Sequence, residues 1–139
     1  MRFWDSSAII PLLVRQPASA RVDRWWGDDA RAAIWTLTPV EITSALWRLA
    51  RGEDLSDAQA REAEQRAQEL ADACYTVADV EGVKALGRRL LRVHAIRAAD
   101  AMQLGAALIW AGGRPAGKTL HTLDDRLASS ARLEGFSVP

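Results

Sequence analysis

The sequence predicts an α/β fold with a central, mostly parallel sheet of four to five strands. Short apolar segments alternate along the chain with longer segments whose apolar residues recur at helical spacing. Strands that alternate with helices in this way are typical of parallel sheets. No linker rich in Pro, Gly or Ser and no internal repeat divides the 139 residues. The length is that of one domain, so we expect residues 1–139 to form a single unit.

The first part of the chain predicts two strands and two helices. Residues 2–4 are a short apolar strand, and the first helix opens directly after it at Asp5-Ser6-Ser7. A second helix is expected from Pro17 to about Gly27, because proline favours the first helical turn and glycine favours a helix end. Residues 32–35 are again apolar and predict the second strand.

The strongest local signal is Thr38-Pro39-Val40-Glu41. We interpret it as a helix start in which threonine is the N-cap, proline the first helical residue and glutamate the third residue of a capping box. This third helix is expected to continue to Gly52.

The remainder of the chain continues the alternation. Helices are predicted from Ser56 to about Ala73, over 79–93, over 98–110 and from Asp124 to about Leu133, with strands at 75–77, 119–123 and 136–138.

The composition excludes several classes of protein. Eighteen basic and eighteen acidic residues give no net charge, which excludes a uniformly basic nucleic-acid binder. The single cysteine, Cys74, excludes an internal disulfide and a cysteine-ligated zinc site. No apolar run approaches the ~20 residues of a membrane span, so we expect a cytoplasmic protein without a membrane partner.

The charge is unevenly distributed. Residues 1–81 carry nine basic and fourteen acidic side chains, whereas residues 82–122 carry seven basic side chains and one acid. The basic segment includes Arg88, Arg89 and Arg92, which form either a solvated helix face or a surface that contacts phosphates.

Four acids are the candidates for chemistry: Asp5, Glu41, Asp100 and Asp124. Three of them lie at or shortly after the end of a predicted strand, and the carboxyl ends of parallel strands meet at one ligand-binding edge. Each acid taken singly is more often a helix cap, but capping does not require several strand ends to converge. Carboxylates without Cys or paired His favour Mg²⁺ or Mn²⁺, ions that activate water in phosphoryl transfer.

Four motifs resemble those of PIN domains, and most closely those of the VapC toxins of bacterial toxin–antitoxin modules. They are Asp5-Ser6-Ser7-Ala8, Thr38-Pro39-Val40-Glu41, the segment from Arg97 to Leu104, and the segment from Thr122 to Leu127. Their order and spacing match the family from Met1 to Phe136.

The resemblance implies a Rossmann-like α/β/α sandwich and a Mg²⁺- or Mn²⁺-dependent endoribonuclease toxin, with one PIN domain over residues 1–139. Asp5, Glu41, Asp100 and Asp124 match the acidic quartet that holds the metal. In the family, the hydroxyls at Ser6 and Thr122 support this site. Asp124 is preferred to Asp125 because it has the family spacing from Thr122, and Gln103 stands where many relatives have histidine.

The expected reaction is hydrolysis of an RNA phosphodiester by metal-activated water. Arg97, and with it Arg88, Arg89 and Arg92, are candidates for contacts with the RNA backbone. The resemblance also implies a homodimer and a cognate antitoxin partner. Aromatic residues anchor interfaces, and we therefore expect one of Trp25, Trp26 and Trp47 to lie in a protein interface.

Two alternatives stay open at this point. The chain is compatible with a PIN-fold RNA- or protein-binding module without turnover, in which the acids serve only as caps. Another metal-dependent phosphohydrolase is the second alternative. A haloacid-dehalogenase-like enzyme, however, needs a second aspartate two residues after Asp5, where this chain has Ser7.

Overall fold

The computed structural model describes all 139 residues and contains a four-stranded, fully parallel sheet. The strands are β1 (Arg2–Trp4), β2 (Ala32–Trp35), β3 (Tyr75–Val77) and β4 (Leu120–His121). Their order in the sheet is β3-β2-β1-β4, and Phe3 of β1 pairs with Ala33 of β2 and with Leu120 of β4. The predicted parallel sheet is therefore confirmed, with β1 and β2 at its centre.

Seven helices connect and cover the strands. They are α1 (Ser6–Leu13), α2 (Ser19–Asp28), α3 (Thr38–Arg51), α4 (Asp57–Ala73), α5 (Val80–Val93), α6 (Ala98–Trp110) and α7 (Asp125–Leu133). None of them is both long enough and apolar enough to cross a membrane.

The helices form a layer on each face of the sheet. Every residue of β2 is buried, and successive side chains point to opposite faces. Ala32 and Ile34 pack with α1–α4, whereas Ala33 and Trp35 pack with α5–α7. This alternation produces two apolar cores and confirms the α/β/α sandwich.

Three predictions of element bounds differ from the structure. The strand predicted over 119–123 is shorter, because only Leu120–His121 form β4. The last predicted strand, 136–138, is reduced to a single parallel bridge between Thr119 and Ser137, and it follows a turn at Gly135 with φ +105°. Helix α2 begins at Ser19 and not at Pro17, because the Ser19 hydroxyl accepts from the Gln16 N–H and donates to the Pro11 carbonyl. These bonds keep residues 16–18 in a turn before the helix.

Helices α5 and α6 approach each other closely through glycines. A Cβ atom on Gly105 of α6 would lie 3.2 Å from the Val83 carbonyl oxygen and 3.5 Å from the Gly87 nitrogen, both on α5. The neighbouring atoms belong to the backbone of a packed helix, so they have little freedom to move. The absence of a side chain at Gly105 therefore permits this packing, and α6 carries Asp100 at its start.

We predict that Gly105→Val lowers the free energy of unfolding by about 2 kcal/mol, because the added atoms overpack the contact with α5. Urea denaturation measures the change. Gly27→Val is the matched control, since a Cβ at Gly27 meets no atom within 4 Å. The control should change stability by no more than about 0.5 kcal/mol, and equal losses in the two variants would contradict this account.

Candidate active site

An open cleft of about 950 Å³ lies at the carboxyl edge of the sheet. From β1 the chain adds β2 and β3 on one side and then returns to place β4 on the other side. The order of strands thus reverses next to β1, and ligands of open α/β sheets bind at such a reversal. Asp5 and Asp124, which follow β1 and β4, both line the cleft.

All four predicted acids line this one cleft, with Glu41 contributed by α3 and Asp100 by the first turn of α6. They do not form a ready-made ligand cluster, since no three His, Cys, Asp or Glu side chains stand together around one metal position. The hydrogen bonds of each acid to the rest of the protein show what fixes its side chain.

Asp5 is the most buried of the four, with 5% of its surface exposed. Its Oδ2 atom accepts from the Ser7 hydroxyl, from the Thr122 hydroxyl at 2.9 Å and from the Ser7 N–H at 3.3 Å. Burial raises the pKa of the Asp5 carboxyl, and the hydroxyl and amide donors oppose this rise. The donors are therefore what makes an ionised carboxylate tolerable at this position.

Glu41 does not form the predicted capping box, and that prediction is wrong. Helix α3 has Leu37 as its N-cap without a side-chain bond, and Thr38 lies within the helix, fully buried. The Oε2 atom of Glu41 instead accepts from the Gln103 amide at 2.7 Å and from the Ser6 hydroxyl at 2.8 Å. The buried Gln103 on α6 and the half-buried Ser6 on α1 therefore bind Glu41, which lines the cleft.

The surroundings of Glu41 shift its acidity. Burial raises the pKa of Glu41, and the bonds from Gln103 and Ser6 lower it in part. The charges of Asp5 and Asp100 add to the rise, which shows that the acids repel one another across the cleft.

Asp100 and Asp124 each cap a helix. Asp100 Oδ2 accepts from the Arg97 N–H at 3.1 Å, and Asp124 Oδ1 accepts from the N–H groups of Arg126 and Leu127, both at 2.8 Å. The capping interpretation is thus correct for these two acids and also for Asp5, the N-cap of α1, which accepts from the Ser7 N–H. All three acids also line the cleft.

The four acids share one pattern of bonding. Protein donors concentrate on a single oxygen of each carboxylate, namely Oδ2 of Asp5, Oε2 of Glu41, Oδ2 of Asp100 and Oδ1 of Asp124. The second oxygen has no donor, apart from a 3.4 Å contact between the Ser6 hydroxyl and Asp5 Oδ1. The cleft is lined by no His or Cys. Free carboxylate oxygens without nitrogen or sulfur ligands suit Mg²⁺ or Mn²⁺.

The hydroxyl groups predicted to support the site make direct contacts with the acids. Ser6 bonds to Glu41 and Thr122 bonds to Asp5. Sequence reasoning missed Ser7, whose hydroxyl donates to Asp5 and accepts from the Leu123 N–H at 2.9 Å. Ser7 therefore joins the start of α1 to the segment between β4 and α7. The sequence signal for this role of Ser7 was its position two residues after Asp5, which caps α1.

The predicted RNA-binding arginines lie in different places. Arg97 lines the cleft, but Arg88, Arg89 and Arg92 do not. Arg89 forms an ion pair with Glu134 at 2.6 Å, and this bond lowers the pKa of Glu134. Arg88 lies in a separate groove between α5 and α6.

Two cleft arginines were missed by the sequence reasoning, Arg48 on α3 and Arg126 on α7. Both are exposed and neither forms an ion pair. Arg48 follows Glu41 by seven residues, two helical turns, and this spacing was the signal that places both on one face.

The comparisons with known proteins agree with this geometry. A family model described as the PIN domain matches residues 2–133, so the chain belongs to the PIN-domain family. Within that family it is 31% identical over 136 residues to Ribonuclease VapC45 and to Ribonuclease VapC49, both of Mycobacterium tuberculosis. Each alignment covers 98% of this chain and 92% of the relative. The chain is therefore a member of the VapC group of PIN-domain proteins.

Solved structures share the fold. FitAcB from Neisseria gonorrhoeae superposes with a TM-score of 0.67 at 19% identity, over 99% of this chain and 96% of that one. PAE2754 from Pyrobaculum aerophilum gives a TM-score of 0.61 at 21% identity, over 99% and 87%.

We predict that asparagine can replace Asp124 as the cap of α7 and that alanine cannot. Asparagine caps helices as well as aspartate does, so Asp124→Asn should keep the melting temperature within about 2 °C, whereas Asp124→Ala should lose about 1 kcal/mol of stability. Asp125→Ala is the control, because no N–H group bonds to that side chain. Equal destabilisation by Asp124→Asn and Asp124→Ala would show that Asp124 does not act as this cap.

Proposed function

We propose that this chain is the toxin of a type II toxin–antitoxin module and a Mg²⁺- or Mn²⁺-dependent endoribonuclease that hydrolyses RNA phosphodiester bonds. The observation that carries the proposal is the set of four carboxylates on one cleft, in which the protein donors concentrate on one oxygen of each carboxylate. The other oxygen has no donor in Glu41, Asp100 and Asp124, and in Asp5 it has only the 3.4 Å contact with the Ser6 hydroxyl. The names of the two Mycobacterium relatives, both ribonucleases, support the same reaction class. We take residues 1–139 as a single PIN domain.

Asp5, Glu41, Asp100 and Asp124 would hold the divalent cation through their free oxygens. When bound, Mg²⁺ or Mn²⁺ supplies activation of water and offsets the charge that develops on the phosphate. The bonds that Ser7 and Thr122 donate to Asp5 Oδ2 oppose the rise in the pKa of Asp5 that burial causes. Burial raises the pKa of Glu41 and the charges of Asp5 and Asp100 add to the rise; a positive charge in the cleft would offset this repulsion.

Arg48, Arg97 and Arg126 would hold the RNA backbone, because guanidinium groups pair with phosphate oxygens. They come from α3, from the start of α6 and from α7, and all three line the same cleft as the acids. Phosphate contacts of this kind fix the position of a strand and carry no sequence information.

The proposed partners are an antitoxin and a second copy of this chain, and the proposed location is the cytoplasm. Trp25 stacks on His121 with the ring centroids 4.8 Å apart, Trp26 packs against Trp4, and Trp47 donates to Glu64. All three tryptophans are half-buried. The prediction that one of them lies in a protein interface stays a prediction.

A binding module without turnover is the second candidate, because Asp100 and Asp124 do cap helices. Such a module has no need of a divalent cation. A response to Mn²⁺ separates the two functions.

We predict that the purified chain cleaves a structured RNA in Mn²⁺ and not in EDTA, and that Mn²⁺ raises its melting temperature. Asp5→Asn and Asp100→Asn should each reduce the cleavage rate by about 100-fold or more, because each removes a charged ligand of the cation. Asp125→Asn is the control and should retain most activity. Full cleavage by Asp5→Asn, or cleavage in EDTA, would refute the assigned site.

We predict that Arg48→Gln raises the KM for RNA about 10-fold through the loss of one charged phosphate contact. Arg89→Gln serves as the matched control, because its guanidinium pairs with Glu134. This control should lose stability and keep its KM. RNA cleavage assays at several salt concentrations measure both variants, and an equal KM for the two would remove Arg48 from the RNA-binding surface.

A further inference from the structure

Gln103 is a buried polar side chain that the proposed mechanism does not use. It lies on α6, three residues after Asp100, and only 1% of its surface is exposed. It is absent from the residues that line the cleft. A buried amide needs hydrogen-bond partners, and the identity of these partners indicates what the residue does.

Both hydrogens of the Gln103 amide are directed toward α3. Nε2 donates to Glu41 Oε2 at 2.7 Å and to the Thr38 hydroxyl at 3.1 Å, and Thr38 is fully buried. The reverse orientation of the amide would place its oxygen against the Glu41 carboxylate, with two acceptors facing each other. The carboxylate therefore fixes which way the amide points.

The same Glu41 oxygen receives a second donor from another element. The Ser6 hydroxyl, on α1, donates to Oε2 at 2.8 Å. Two donors from different helices hold Oε2, and Oε1 has no donor. Ser6 alone does not fix this arrangement, because its single hydroxyl proton also lies within reach of Asp5 Oδ1 at 3.4 Å.

We propose that Gln103 is a positioning residue for Glu41, which holds Oε2 so that Oε1 is presented to the cleft as a ligand for the cation. The inference rests on the proposed metal-dependent function. Gln103 touches neither the cation nor the RNA, and it acts only through Glu41. Residues that orient metal ligands in this way typically change metal affinity or activity by about 10- to 100-fold when they are replaced.

Gln103→Met tests the inference, because methionine has a similar length and volume but no N–H donor. Thr38→Val is the matched control, since it removes the other partner of the Gln103 amide and leaves the bond to Glu41 intact. Both variants should lower the melting temperature in EDTA. Only Gln103→Met should raise the dissociation constant for Mn²⁺, measured by titration calorimetry, by about 10-fold. It should also lower kcat for RNA with little change in KM.

Two further variants keep the test decisive. Gln103→His retains an N–H donor of similar reach and should restore Mn²⁺ affinity to within about threefold of the parent chain. Gln103→Asn keeps the amide but falls one methylene short of Glu41, so it should lose Mn²⁺ affinity as Gln103→Met does. This shorter variant also provides the measurement if Gln103→Met does not fold.

The outcomes distinguish the inference from the function on which it rests. If the parent chain binds Mn²⁺ and Gln103→Met binds it as tightly as Thr38→Val does, the role of Gln103 is refuted and the nuclease function stands. If the parent chain neither binds Mn²⁺ nor cleaves RNA, the function and the role of Gln103 are refuted together.

Discussion

The carboxylate of Asp5 is buried at the end of the central strand β1, and its need for hydrogen-bond donors constrains the rest of the site. A buried carboxylate is strongly destabilising unless donors surround it. Ser7 supplies donors from the start of α1, and Thr122 supplies one from the segment after β4. Because β1 and β4 pair directly, these bonds hold the start of α1 and the segment after β4 together where the strand order reverses. Asp5 and Asp124, which follow these two strands, both line the cleft.

Capping and metal binding are compatible roles for the same acids, because a carboxylate has two oxygens. Asp124 bonds two helical N–H groups through Oδ1, and its Oδ2 stays free. Asp100 divides its oxygens in the same way. The interactions that stabilise the starts of α6 and α7 therefore also orient the remaining oxygens, and folding of these two helices prepares the site. An acid that caps a helix is thus no argument against a ligand role.

Local sequence patterns predicted the four strands of the sheet, most helices and the four acids, but wrongly extended the prediction to a strand at 136–138. They also failed where contacts between residues far apart in the chain decide the structure. Thr38 and Glu41 have the spacing of a capping box, but Gln103, which lies 62 residues beyond Glu41, supplies a buried partner that no local pattern reveals. Arg89 stands in a basic run, yet its guanidinium group forms an ion pair with Glu134, 45 residues away. Arg48 lies in the acidic part of the chain and lines the cleft all the same. A helix start can be predicted from neighbouring residues in the sequence, whereas the partners of charged side chains depend on the tertiary structure.

The charged residues that line the cleft explain how a chain without net charge can act on a nucleic acid. The separation of charge along the sequence does not explain it. The cleft arginines come from the acidic first part, from the basic segment and from the C-terminal part of the chain: Arg48, Arg97 and Arg126. Five acids, the quartet and Asp125, line the same cleft, so five carboxylates against three guanidinium groups give −2 when all are ionised. A polyanion is repelled by such a surface until a divalent cation neutralises it. On the proposed function, the cation would therefore serve in binding RNA as well as in cutting it.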